Sequence, residues 1–262
     1  MTGPKILTLD IETRPAELIG FDIWNQNFSV PQIIVPVRML AFGAKWHGDN
    51  KVHFYSEYHN DISSQNQAPS ACHENMVGHA FDLMSEADIL VTYNGDRFDI
   101  PHLNREFELA NLGIPEPYKS VDLFKVAKAK FKFISNKLEN ITQELGLEGK
   151  IKHEGIELWL KCMRDDPAAW GRMKRYCIRD VRQTGHVYDR FLPWIDNHPH
   201  YSLYVDSDEA VCPRCGSPEL QKRGFQTALT RKYQRYQCQG CGGWLRDARN
   251  VPSSAMTVRD TR

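Results

Sequence analysis

At 262 residues the chain is long enough for one sizeable core and a small second module, and Lys+Arg and Asp+Glu balance at 33 each. Net charge therefore points to no class of partner, but the charges are segregated. After residue 210 there are ten basic residues against three acidic ones, which leaves 23 and 30 before it. An acidic body is followed by a basic tail, a division that suits metal ions in the first part and phosphates in the second. No apolar run approaches the roughly 18 residues of a membrane span, and the N-terminus lacks the charged-then-apolar pattern of a signal peptide. The expected location is the cytoplasm.

Lys5–Asp10 is a short apolar run ending on an acid, as a buried strand that delivers side chains at its C-terminal end would be. Met39–Trp46 and Lys51–Tyr55, separated by His47-Gly48-Asp49-Asn50, read as a hairpin, so three antiparallel strands open the fold. Asn75–Ala87 has helical spacing of Met76, Ala80, Leu83, Met84 and Ala87 and leads into a strand over Asp88–Tyr93. Helices follow over Phe98–Leu112, Leu123–Lys130, Lys137–Leu145 and Asp166–Ile195, with a short strand at Ser120–Leu123. Gly113 and Gly146 are expected at C-caps, and Asp166 caps a helix whose first turn holds Pro167. The expectation is a mixed α/β fold: three antiparallel strands, then parallel strands, flanked by helices. The domains are expected at 1–195, a polar linker at 196–210, a second module at 211–250 and a flexible tail at 251–262.

Three short acidic motifs lie in order along the first part: Asp10-Ile11-Glu12, Tyr93-Asn94-Gly95-Asp96-Arg97-Phe98-Asp99 and Tyr176-Cys177-Ile178-Arg179-Asp180. Asp10 and Glu12 are two apart on a strand and share a face. Asp99 opens a helix and Asp180 lies within one. Alone, a D-x-E pair is weak, Asp99 reads equally as a helix N-cap, and Asp180 beside Arg179 and Arg182 reads as an exposed ion-pair face. Together the four carboxylates repel one another unless cations lie between them, and hard oxygen ligands favour Mg²⁺ or Mn²⁺ over zinc. Two such ions about 3.5–4 Å apart can activate water and steady a leaving 3′-oxygen. Tyr176, one helical turn before Asp180, could orient the water. Asn94 would hold the backbone or the substrate, with Phe98 as a further substrate contact, and Asp96 falls in the turn.

The pattern D-x-E, N-x-x-x-F-D, Y-x-x-x-D over residues 5–195 resembles the DEDD (DnaQ-like) superfamily of 3′→5′ exonucleases on the ribonuclease H-like fold. That resemblance implies Asp10, Glu12, Asp99 and Asp180 as ligands of two Mg²⁺ or Mn²⁺ ions. It also implies Tyr176 as the water-orienting residue. Where the histidine branch of the family has its histidine, this chain has Arg175, so it resembles the tyrosine branch. The stretch Thr13–Arg38, with Pro15, Trp24, Pro31 and Pro36, departs from the pattern.

Of seven cysteines, Cys212, Cys215, Cys238 and Cys241 form two C-x-x-C pairs separated by 22 residues, each followed by glycine. Four thiolates at this spacing suit a closed structural Zn²⁺ site, and a redox role would need one pair beside a β-α-β pattern, which is absent. The segment resembles the zinc ribbons found near transposases and other nucleic-acid enzymes. Between the pairs Arg231–Cys238 reads as a strand with Tyr233, Arg235 and Gln237 on one face, a basic and aromatic surface for phosphates and bases. A solvated hairpin is the plain alternative. Lys128 and Lys132, in a run with Lys125, Lys130, Lys137, Phe124, Phe131 and Phe133, track a substrate strand or form a solvated helix face.

The expected function is a two-metal 3′→5′ exonuclease acting on single-stranded DNA, its direction taken from the resemblance, with a ribbon that holds nucleic acid or a replication or repair partner. The alternatives are an exoribonuclease with the same site and a nucleic-acid-binding adaptor that no longer cuts. The architecture resembles compact nucleases encoded by bacteriophages.

Overall fold

The computed structural model describes residues 3–22, 24, 27–58, 69–147, 155–205, 209–228 and 230–252, and in 69–71 the backbone only. Asp206–Asp208 of the expected linker and 253–262 of the expected tail lie outside the described residues. The chain divides into two compact units, Lys5–Val187 and Met1–Pro4 with Tyr188–Arg262. Among the described residues no helix is long and apolar enough to cross a membrane.

The larger unit is built on five strands, β1 (Ile6–Arg14), β4 (Arg38–Trp46), β5 (His53–Ser56), β6 (Ile89–Thr92) and β7 (Lys119–Asp122), in the order β5-β4-β1-β6-β7. β4 and β5 run antiparallel as a meander with β1, and β6 and β7 run parallel to it. The mixed sheet expected from the sequence is present. Its helices are α1 (Pro69–Glu86), α2 (Asp99–Leu109), α3 (Leu123–Lys130), α4 (Leu138–Glu144), α5 (Ile156–Cys162) and α6 (Pro167–Phe191). β6 is buried at all four positions, as a parallel strand covered on both faces must be. Leu7, Leu9 and Ile11 of β1 pack with Met76, Ala80 and Met84 of α1 and Leu103 and Phe107 of α2 in one apolar cluster.

Several elements depart from expectation. β1 does not stop at Asp10, because its antiparallel pairing with β4 continues to Arg14↔Arg38, while its parallel pairing with β6 ends at Thr8↔Val91. α2 ends three residues early: Asn111 takes the left-handed conformation (φ 56°), and Leu112 N–H donates to the Phe107 carbonyl, so an asparagine closes a helix expected to reach Gly113. Gly146 does lie just past α4, with φ 67°. Asp166 caps α6 through Ala168 and Ala169 N–H, at 2.8 and 3.0 Å, as expected. Two short strands, β2 (Glu17–Leu18) and β3 (Ile33–Val35), pair within Thr13–Arg38.

Gly43 of β4 stands opposite Asp10 of β1. A Cβ there would lie 2.8 Å from Val181 Cγ2 and 2.9 Å from Cys177 Sγ, both on α6. Absence of a side chain therefore lets α6 lie close against the sheet at the level of Asp10. We expect Gly43→Ala to destabilise the fold by about 1–3 kcal/mol through overpacking, measured by urea unfolding. An unchanged midpoint would mean that α6 is not held this closely.

Candidate metal centre

Close approach of α6 to the sheet brings the first and third motifs together. One carboxylate oxygen from each of Asp10, Glu12 and Asp180 lies within 4.8 Å of the other two. Glu12 is buried, while Asp10 and Asp180 are half-buried. The side chains of Asp10 and Glu12 share a face because they are two apart on β1.

Asp99 reaches the same strand from the first turn of α2. Beyond Thr8, β1 has no parallel partner, and the buried Asp99 Oδ1 accepts the Ile11 N–H at 3.0 Å, between Asp10 and Glu12. A tight turn sets this position. Asn94 is left-handed (φ 65°), and a Cβ on Gly95 would lie 2.3 Å from Thr92 Oγ1, so only glycine fits. Asn94 contributes through its backbone, donating to Asp122 Oδ1 at 2.8 Å, and the same oxygen caps α3 through Phe124 N–H at 3.0 Å. Asp96 lies in the turn, paired with Lys125 at 2.6 Å.

The electrostatics are those of carboxylates held together against repulsion. Burial, then Asp180 and Asp99, push the Glu12 carboxyl up to about 8. Burial, then Asp99, Glu12 and Asp180, hold Asp10 well above the carboxylate range. Burial raises Asp99 to about 7 although the Ile11 N–H opposes it, with Asp122 adding to the rise. The Tyr176 hydroxyl is raised by burial and then by Asp180, to which it is hydrogen-bonded. An all-oxygen donor set this acidic fits hard divalent cations.

A cavity of about 500 Å³ adjoins Glu12, walled by Phe98 of the second motif, Val37, Arg14, and Ile156 and Trp159 of α5. Thus both ends of the Thr13–Arg38 stretch reach the site. Trp159 also packs edge-on to Tyr176, with ring centroids 6.1 Å apart. The expected elements did not include α5, although Ile156, Leu158, Trp159 and Cys162 carry its helical spacing. Asp122 and Glu106 were also not foreseen. Glu106 accepts Met39 N–H at 3.0 Å where the β1–β4 register shifts beside Glu12, and it lies 3.2 Å from His73. For Asp122 the signal was available, an acid directly before a helix; for the buried Glu106 it was not. Lys128 and Lys132 are exposed.

In the smaller unit, β8 (Leu220–Thr227), β9 (Lys232–Cys238) and β10 (Trp244–Arg246) form an antiparallel sheet in the order β10-β9-β8. The sequence had indicated β9 alone. Sulfurs of Cys212, Cys215, Cys238 and Cys241 all lie within 4.8 Å of one another, and none is in a disulfide. Gly216 and Gly242, with φ 72° and 76°, close the two turns by donating to the Cys212 and Cys238 carbonyls. Burial alone would raise the Cys238 thiol, but the N–H groups of Cys241 and Gly240 and the Cys215 thiol outweigh it and hold it below its ordinary value. The cluster fits a zinc ribbon. Tyr233 is 9% exposed and Arg235 half-buried.

The chain belongs to the RNase_H superfamily, whose family model matches residues 40–192, more than half its length. That span contains Asp99, Tyr176 and Asp180 and begins after the strand carrying Asp10 and Glu12. No curated protein matches the chain. Membership supports a nuclease-type function, with nucleic acid as substrate and divalent metal as cofactor.

The raised carboxyls make a signed prediction. Folded-state values of about 7 and 8 for Asp99 and Glu12 lie above the ordinary values near 4. Proton binding therefore favours the folded state, and this contribution is full below about pH 4 and lost as pH rises through 7 to 8. Without added Mg²⁺ the melting temperature should fall across that window, Mg²⁺ should restore most at the upper end, and Glu12→Gln should flatten the fall. A flat wild-type profile would contradict the arrangement.

Proposed function

We propose that the chain is a two-metal 3′→5′ exonuclease of single-stranded DNA, in the tyrosine branch of the DEDD exonucleases. The observation that carries this reading is the convergence of Asp10, Glu12 and Asp180 within 4.8 Å, with Asp99 tied to the strand between the first two. Asp10, Glu12, Asp99 and Asp180 would hold two Mg²⁺ or Mn²⁺ ions. When bound, the cations supply the positive charge that favours hydroxide as nucleophile and stabilises the leaving 3′-oxygen.

The chain's own groups do the rest. Asp99, whose Oδ1 accepts the Ile11 N–H, is held against the strand between Asp10 and Glu12. Tyr176, its hydroxyl hydrogen-bonded to Asp180 and its ring braced by Trp159, orients the attacking water as a neutral phenol, since its proton is held more tightly than usual. Phe98 and Trp159 wall the cavity beside Glu12 with apolar surface for an unpaired terminal base. Lys128 and Lys132 add charge for the strand. Cys212, Cys215, Cys238 and Cys241 would hold one Zn²⁺, and the ribbon would bind nucleic acid or a replication or repair protein.

With 5′-labelled single-stranded DNA and Mg²⁺, the wild-type chain should give a ladder shortening from the 3′ end, and Asp10→Ala should remove it. RNA incubated in parallel should be cut more slowly. Preferential cleavage of RNA would move the assignment to an exoribonuclease, and binding without cleavage of either would move it to an adaptor. Cys215→Ser should weaken binding of long strands more than of short ones, measured by fluorescence anisotropy.

A further inference from the structure

The register of the ribbon sheet places two arginines against each other. Arg246 of β10 is directly opposite Arg235 of β9. Like charges opposite one another on an antiparallel ladder are destabilising. Each is instead backed by a ring on the diagonal: the Arg235 guanidinium lies 4.8 Å from the Trp244 ring centre, and that of Arg246 lies 4.3 Å from the ring centre of Tyr233. Arg235 is held again by its Nε, which donates to the Arg223 carbonyl at 3.0 Å. Among the described residues no carboxylate is paired with either arginine. Asp247, the neighbour of Arg246, accepts from the Tyr236 hydroxyl at 3.2 Å.

We propose that Arg235 and Arg246, fixed over Trp244 and Tyr233, form a phosphate-binding site for the phosphodiester backbone of a nucleic-acid strand. The inference rests on the ribbon's assignment to nucleic acid and supplies its chemistry. The two diagonals run in opposite directions along the ladder, so each planar fork matches the two non-bridging oxygens of its own phosphodiester, and neighbouring phosphates of one strand relieve the repulsion between the arginines. Stacking fixes the forks before the ligand arrives, so little side-chain freedom is lost on binding. The ring of Tyr233, 9% exposed, backs a cation and offers no open platform for a base, and the ring of Trp244, 52% exposed, carries the Arg235 guanidinium over it. Recognition is therefore of backbone and not of sequence. The geometry also requires arginine, since a lysine ammonium carries the charge without the fork.

The test uses the full chain carrying Asp10→Ala, so that the probe survives, with zinc content measured for every variant. The probes are a thymidine homopolymer and an abasic deoxyribose-phosphate strand of equal length. The loss caused by the arginine substitutions should be the same on both. Arg235→Lys/Arg246→Lys should lose about ten-fold in affinity while keeping the salt dependence. Arg235→Ala/Arg246→Ala should also lower the slope of log K against log salt by about 1.4, the value for two lost single-strand contacts. If the alanine variant loses zinc, the lysine variant decides. Wild-type affinity in the lysine variant would overturn the proposal in favour of diffuse charge. Loss in Trp244→Ala on the homopolymer but none on the abasic strand would overturn it in favour of base stacking. Competition by inorganic phosphate as strong per phosphate as by the strand would make the site one for a free anion. Should Cys215→Ser weaken binding while the arginine variants do not, the ribbon reading stands and this site fails. Should none of them weaken it, both fail.

Discussion

Three carboxylate oxygens held within 4.8 Å of one another are the constraint on which the rest of the larger unit depends. At an effective dielectric of about 20, two unit charges at that separation repel by about 3 kcal/mol. The fold resists this with backbone geometry. β1 fixes Asp10 and Glu12 on one face, the side-chain-free position at Gly43 lets α6 bring Asp180 close, and Asp99 is tied to the Ile11 N–H. Burial then raises the carboxyls, so the cluster holds its protons more tightly than free carboxylates do.

Supporting contacts extend from this cluster into the scaffold. Asp122 joins the turn at Asn94 to the start of α3, and Glu106 joins α2 to the shifted register of β4 beside Glu12. Trp159 connects the cavity wall to Tyr176. Each fixes an element carrying one of the proposed ligands or the proposed water-orienting hydroxyl, which is how a site built from three distant segments holds its geometry.

The three acidic motifs were legible because each occupies a position where local structure is simple: alternation on a strand, the first turn of a helix, and a single helical turn from Tyr176 to Asp180. The cysteine pairs were legible from spacing, and the positive φ of Gly216 and Gly242 accords with the glycine after each second cysteine. What escaped depends on partners distant in sequence. The extension of β1 to Arg14 comes from pairing with β4, and β8 and β10 are defined by their ladders with β9. Glu106 acts through Met39, 67 residues away in sequence, and His73, 33 residues away. α5 is seven residues long, too short for its periodicity to stand out beside α6. The pairing of Arg235 with Arg246 follows from register, which no motif encodes.

The proposal that the carboxylate cluster is a two-cation centre is tested most directly by crystals of the protein soaked in Mn²⁺ and measured at the manganese absorption edge. Two anomalous peaks bounded by Asp10, Glu12, Asp99 and Asp180, both absent from Asp10→Ala crystals, are the predicted result. No peak in the cluster at saturating Mn²⁺, or peaks that persist without Asp10, would contradict the account.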